Sequence, residues 1–197
     1  IRGYKPSTGV HIGQLKRAAE MLAQAKRPLF LIGGGVVVSR AGAELTELAE
    51  RTGVPVITTI MGKGAISTDH PLYIGNIGMH GNVASNTAVS ECDLLFSVGT
   101  RFNDRITGKI SEFAKNAQHI DIDAASISRN IVVDVPIVAD AREALSKFLE
   151  IVKIPKNIEE WTKRLQKLRD EKPIVMRAKS ELTPQRILQE INDAYSD

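Results

Sequence analysis

Asp93-Leu-Leu-Phe-Ser-Val98 runs without a break into Gly99-Thr-Arg-Phe-Asn-Asp-Arg-Ile-Thr-Gly-Lys109, and the reading of this join decides the fold. An apolar run of this length, rich in Leu, Phe and Val and ended by glycine, predicts a buried strand that delivers its loop to the carboxyl edge of a sheet. Open α/β sheets bind ligands at that edge. Arg101 and Arg105 emerge there, with Asn103 and Asp104 between them. Two guanidinium forks suit phosphate or carboxylate, and the interleaved amide and acid suit the task of holding the forks in place. The competing reading is a surface turn whose arginines are merely solvated.

The same join recurs toward the N-terminus. Leu29-Phe-Leu-Ile32 leads into Gly33-Gly34-Gly35, and Val54-Pro-Val-Ile-Thr58 leads into Thr59-Ile-Met-Gly-Lys-Gly64. A helix from about Ala41 to Arg51, closed by Gly53, lies between them and completes a β-α-β unit. An earlier helix begins near Ile12, with Ile12, Leu15, Ala19 and Leu22 on one face, and Lys26-Arg27-Pro28 stops it. Leu72 to Gly81 reads as a loop with three glycines, followed by a helix from Asn82 to Glu91. Past the arginine loop, Gln118-His-Ile-Asp-Ile-Asp123 alternates, Ile131 to Val138 supplies a fifth strand, and Asp140 caps a helix with Leu145, Phe148 and Leu149 inward. Five strands interleaved with helices predict an α/β fold, a doubly wound, mostly parallel Rossmann-like sheet.

Four segments are expected: a linker over 1–10, the sheet domain over 11–152, a helical linker over 153–182, and the start of a following domain over 183–197. The linker carries a charged helix around Trp161, Leu165 and Leu168 and is interrupted by Pro173. At the end, Thr183-Pro184 reads as an N-cap and first-turn proline before the apolar face of Ile187, Leu188 and Ile191. The chain opens without Met and stops within a helical pattern, so a piece of a longer polypeptide is expected.

The 197 residues are 43% hydrophobic and 25% charged, the balance of a globular protein with one full core. No apolar run approaches the roughly 20 residues needed to span a bilayer. A single cysteine, Cys92, excludes an internal disulfide and fits a reducing compartment and a core position. A net charge of +3, with five Phe, three Tyr and one Trp, is too mild for a nucleic-acid partner.

One edge thus collects Gly33 to Gly35, Thr59 to Gly62, Ile77 to Gly81, Gly99 to Arg105, Asp121 and Asp140. A dinucleotide wants such a set: glycine amides and arginine forks for pyrophosphate, carboxylates for ribose hydroxyls. A nicotinamide cofactor fits it poorly, because Val38 stands where G-x-G-x-x-G needs its third glycine and Thr58-Thr59 ends the second strand where a ribose-binding acid belongs. His11, His70, His80 and His119 lie in unlike contexts without metal-ligand spacing, so no metal site is expected. His80 reads as a loop residue or a base, and Asp121 and Asp123, on one strand face, as an acid-base pair or as one ligand-binding and one solvated carboxylate.

Taken in order, Gly33-Gly-Gly35, Thr59-Ile-Met-Gly-Lys-Gly64, Gly78-Met-His-Gly81, Arg101-Phe-Asn-Asp-Arg-Ile-Thr-Gly-Lys109 and His119-Ile-Asp-Ile-Asp123 resemble the central domain of the acetolactate synthase (acetohydroxyacid synthase) catalytic-subunit family. The resemblance covers about residues 1–180. It implies the middle domain of a three-domain thiamine-diphosphate enzyme that condenses two 2-oxo acids on the way to branched-chain amino acids, with FAD bound across the sheet edge in a chiefly structural part. Contacts to FAD would come from Gly34, Thr59, Ile60, Met61, Gly62, Ile77, Gly78, Met79, His80, Gly99, Thr100, Arg101, Phe102, Asn103, Arg105, Asp121, Ile122, Asp140 and Ala141, with Gly33 and Gly35 beside them. Asp104 and Arg105 would reach the substrate channel. Asn103 stands where that family often has Asp, and Ala141 where it often has Val.

The thiamine-activating glutamate would lie in the preceding domain and the G-D-G…N-N motif for diphosphate and magnesium in the following one, so no catalytic residue is expected here. The partners implied are the flanking domains, further copies in a homo-oligomer, and a small regulatory subunit, in the cytoplasm or an organelle. Sister enzymes such as glyoxylate carboligase or pyruvate oxidase, and a free-standing nicotinamide-binding module, are the alternatives.

Overall fold

The computed structural model describes residues 9–124, 127–173 and 182–195. Most of the expected N-terminal linker and most of the connector after Pro173 lie outside them. Six strands, β1 (Pro28–Ile32), β2 (Val56–Thr58), β3 (Tyr73–Asn76), β4 (Leu94–Val98), β5 (Gln118–Asp123) and β6 (Val135–Val138), form one sheet in the order β3-β2-β1-β4-β5-β6. Every pairing is parallel. Parallel strands need crossovers, and crossovers cover both faces, which is why β1 and β4 are buried at every position and read as unbroken apolar runs.

On one face, helices α1 (Ile12–Gln24), α2 (Gly34–Val38), α3 (Gly42–Thr52) and α6 (Ala141–Ile151) close a core around Phe30, Phe96 and Phe148, with Phe96 edge-on to both other rings. On the other face, α4 (Val83–Glu91) and α7 (Glu159–Glu171) close a second core that includes Leu29, Leu31, Ile57, Leu95 and Trp161. A short turn of helix, α5 (Asp104–Thr107), follows β4, and α8 (Pro184–Ala194) follows the undescribed connector.

The expected sheet is present, with two corrections. A strand, β3, occupies Tyr73–Asn76, inside the stretch read as a loop, so the sheet has six strands and not five. Gly75 and Asn76 are turn-type residues, and pairing with β2 overrides that local preference, at the cost of a register irregularity between Val56 and Ile57. The last strand begins at Val135 and not Ile131, because Val135 is the residue aligned with Ile120. Just before it, Asp134 clamps β5: its amide donates to the His119 carbonyl at 2.9 Å, and its carboxylate accepts from the His119 amide at 2.8 Å.

The predicted caps sit as read. Gly53 closes α3 in the left-handed region at φ +68°, Asp140 accepts from the amides of Arg142 and Glu143, and Thr183 accepts from Arg186.

The charged helix beyond Pro155 lies over α4 and β3. Trp161 is 5% exposed and its indole Nε1 donates to the Pro28 carbonyl at 2.9 Å, while Thr162 Oγ1 donates to the Gly53 carbonyl at 3.1 Å. The late helix is thereby tied to the first residue of the central strand. Replacing Trp161→Phe should cost about 1–3 kcal/mol by orphaning the carbonyl, and Trp161→Ala about 3–5 kcal/mol by adding a cavity. Urea unfolding of both variants measures this, and equal stability of Trp161→Ala and the wild type would refute the anchoring role.

Candidate functional site

Because every strand runs the same way, the segments after β1, β2, β3, β4, β5 and β6 all meet at the carboxyl edge. The sheet order reverses direction between β1 and β4, and there the backbones nearly touch. The Gly33 amide donates to Val98 O at 2.9 Å, Gly35 to Gly99 O at 3.1 Å, and Gly99 to Ile122 O at 2.7 Å. A Cβ on Gly33 would lie 2.1 Å from Gly99 O, and Gly99 itself has φ +62°. Gly33 and Gly35 are therefore glycines because of Gly99, whereas Gly34 faces Met61 across the edge. Gly34 and Gly35 are also not loop but the opening of α2.

The neighbouring segments are ordered by short-range bonds. Thr59 caps a single 3₁₀ turn over Ile60–Gly62, leaving Ile60 and Met61 each 72% exposed at the rim. Met79 and His80 are exposed in the turn after β3, above buried Ile77 and Gly78. Arg101 and Arg105 are exposed, and neither guanidinium bonds to a described residue. Asn103 caps α5 by accepting from the Ile106 amide at 3.2 Å. Asp104, expected to orient the Arg105 guanidinium, instead accepts from the Arg105 backbone amide at 3.0 Å. Phe102 turns inward and packs edge-on against Phe113, and the side chains of Thr100, Ile122 and Ala141 are also buried. Asp140 spends its carboxylate on the α6 cap.

Asp121 is set apart from its neighbours. It is 1% exposed, aligned with Ser97, and its Oδ1 accepts from Ser97 Oγ at 2.8 Å, while Oδ2 is buried without a hydrogen bond to a described residue. Burial, opposed by the Ser97 bond and reinforced by the charge of Asp123, lifts its carboxyl to about 7. Asp123 is only half-buried, so the two carboxylates differ in setting. Residues the sequence reading passed over also shape the edge. Ser97 holds Asp121, and Asn130 Nδ2 donates to the Phe102 carbonyl. At the entrance of α4, Asn86 bonds the backbone of Gly78 at the edge, while Asn82 braces Ile74 within β3, behind it. Their signal was only that Asn recurs beside glycine-rich segments. Cys92 is fully buried, and burial pushes its thiol up to about 12. Among the described residues no group of His, Cys, Asp and Glu could hold a metal ion, and no helix is long and apolar enough to cross a membrane.

The raised carboxyl of Asp121 has a sign. Between the unfolded value of 3.8 and the folded value of about 7 the native state holds the extra proton, so stability falls as pH rises through that window. Asp121→Asn removes this loss, and its stability advantage over the wild type should widen by about 2–3 kcal/mol from pH 5 to pH 8. Denaturant titrations at the two pH values check it, and a constant difference would contradict the assignment.

Six parallel strands with helices on both faces, whose glycine backbones meet at a reversal of strand order, make this an α/β domain of Rossmann-like fold. More particularly, residues 15–148 match the family of the thiamine pyrophosphate enzyme central domain, and the chain belongs to that family. The chain is similar, at 43% identity over 210 residues, to the "Probable acetolactate synthase large subunit" of Methanocaldococcus jannaschii, covering 100% of this chain and 34% of that one. To the "Acetolactate synthase large subunit" of Cyanidium caldarium it is 42% identical over 201 residues, covering 98% and 34% respectively. To the "Acetolactate synthase" of Mycobacterium bovis it is 40% identical over 202 residues, covering 98% and 33%. The chain spans about a third of the length of these relatives.

Proposed function

We propose that this chain is the central domain of an acetolactate synthase catalytic subunit and serves as its FAD-binding scaffold. The intact protein would decarboxylate pyruvate and join the two-carbon unit to a second 2-oxo acid. The observation that carries the reading is similarity over 95% or more of the chain to acetolactate synthase large subunits. Flanking domains would supply the thiamine diphosphate and magnesium sites, and copies of the subunit, with a small regulatory subunit, would complete the assembly. By the same resemblance its place is the cytoplasm or an organelle.

The residues present fit a flavin dinucleotide. Arg101 offers an exposed, unpaired guanidinium for pyrophosphate, and the main chain at Gly34 and at Ile60–Gly62 faces the same edge. Asp121 Oδ2 is a buried acceptor without a partner among the described residues, the kind of atom a ribose hydroxyl satisfies. When bound, FAD would supply a rigid filler between this edge and the flanking domains. What this chain's own residues would do is bind and orient: Arg101 neutralises phosphate charge, Asp121 accepts a hydrogen bond from a ribose hydroxyl, and Arg105 offers a fork to a substrate carboxylate. By the same reading, proton transfers of the main reaction fall to the flanking domains.

The isolated chain should therefore form no acetolactate from pyruvate, with or without added thiamine diphosphate and magnesium. It should bind FAD only at micromolar levels or weaker, since each lost tenfold of affinity is about 1.4 kcal/mol of missing contact. A turnover assay and a flavin fluorescence titration on the same preparation test both statements, and product above blank or nanomolar FAD binding would overturn them.

In the full-length protein, the two arginines should divide the work, because Arg101 precedes α5 and Arg105 lies within it. Arg101→Ala should weaken FAD retention by about 1.5–3 kcal/mol. Arg105→Ala should instead raise the KM for the second 2-oxo acid or lower turnover. Indistinguishable profiles of FAD affinity, melting temperature and kinetics for the two variants would defeat the division.

A further inference from the structure

We infer that Asn86 is a positioning residue that locks the Gly78–His80 turn to the backbone of Arg105, so that the cofactor edge and the substrate arginine are held in one register. The inference rests on the function proposed above. Asn86 sits one turn into α4 and pairs both ways with a single residue: its Oδ1 accepts from the Gly78 amide at 3.1 Å and its Nδ2 donates to the Gly78 carbonyl at 3.1 Å. A side-chain amide that satisfies both main-chain groups of one residue fixes that peptide's orientation as well as its position. Gly78 is the residue that needs fixing. Its φ is +111°, where a side chain would be strained, and a Cβ there would lie 2.7 Å from the Arg105 carbonyl.

The next amide, that of Met79, donates to the same Arg105 carbonyl at 3.0 Å. A continuous path thus runs from α4 through Asn86, Gly78 and Met79 to the main chain of Arg105. A cleft lined by Asn86, Val89, Ile106, Thr107 and Phe113 opens between α4 and the segment that carries Arg105, while Ile106 packs against the core that Ala84, Ala88 and Val89 of α4 share. That apolar contact sets the distance between the two segments, and the directional hydrogen bonds set the orientation of the turn. Asn82, one turn earlier, gives an internal contrast. It caps α4 through the Ser85 amide at 2.8 Å and donates to the Ile74 carbonyl at 2.8 Å, bracing β3 without touching Gly78.

The test uses the full-length protein and three variants, with FAD affinity measured by flavin fluorescence, the KM for the second 2-oxo acid, and melting temperature. Asn86→Ala should weaken FAD binding and raise that KM by about tenfold each, the effect of losing roughly one well-formed bond pair. Asn82→Ala, which costs helix α4 its cap, should lower the melting temperature while leaving both affinities within about twofold. Asn86→Asp keeps the acceptor and loses the donor, and should fall between wild type and Asn86→Ala. It also decides the matter if Asn86→Ala does not fold, a change of about threefold or more supporting the inference and one under about twofold overturning it. Folded Asn86→Ala with unchanged FAD affinity and KM overturns the positioning role, as does a profile matching that of Asn82→Ala. Failure of the wild-type protein to bind FAD would overturn the functional reading instead, and this inference with it.

Discussion

The contact between Gly33 and Gly99 sets the geometry of everything around it. With no room for even one carbon between the two backbones, the ends of β1 and β4 are pressed together where the sheet order reverses. Their outgoing chains must then separate, one through α2 and the other toward α5. Open α/β sheets place a crevice at such a divergence. The ladder of amides from Gly33 to Val98 and from Gly99 to Ile122 ties the crevice floor to three adjacent strands. The floor is main chain, while the rim of Ile60, Met61, Met79 and Arg101 is exposed side chain.

What the sequence made legible was whatever depends on burial of continuous apolar runs. Leu29–Ile32 and Leu94–Val98 had to be central strands, since a stretch apolar on both faces has few other places to sit, and the loops after them had to share an edge. Caps were equally legible, because Asp140, Thr183 and Gly53 act on backbone groups within a turn of themselves. The edge strand β3 was not, because its stability comes from main-chain bonds to β2 and its composition is that of a turn.

The site divided along the same line. That Arg101 and Arg105 emerge at the edge was readable, but that Asn103 and Asp104 leave both forks unheld was not. That Phe102 turns into the core, that Asp104 serves a backbone amide, and that Ser97 reaches Asp121 all depend on which way a side chain points once the strands are paired. The reason for the glycines was also hidden. Gly33 looked like room for a ligand, and it is room for Gly99.

The bond from Trp161 to Pro28 joins residues 133 apart in the chain. During synthesis the first face of the sheet can be covered once α6 has emerged, but the second face waits for α7. Until about residue 171 has left the ribosome, α4 and the apolar side of β1 lack part of their cover, and the carbonyl of Pro28 has no indole to meet. A chain that emerges in this order leaves one face of the sheet only partly covered until α7 follows, and it is in that interval that it is most open to capture by chaperones or to pairing with the wrong neighbour.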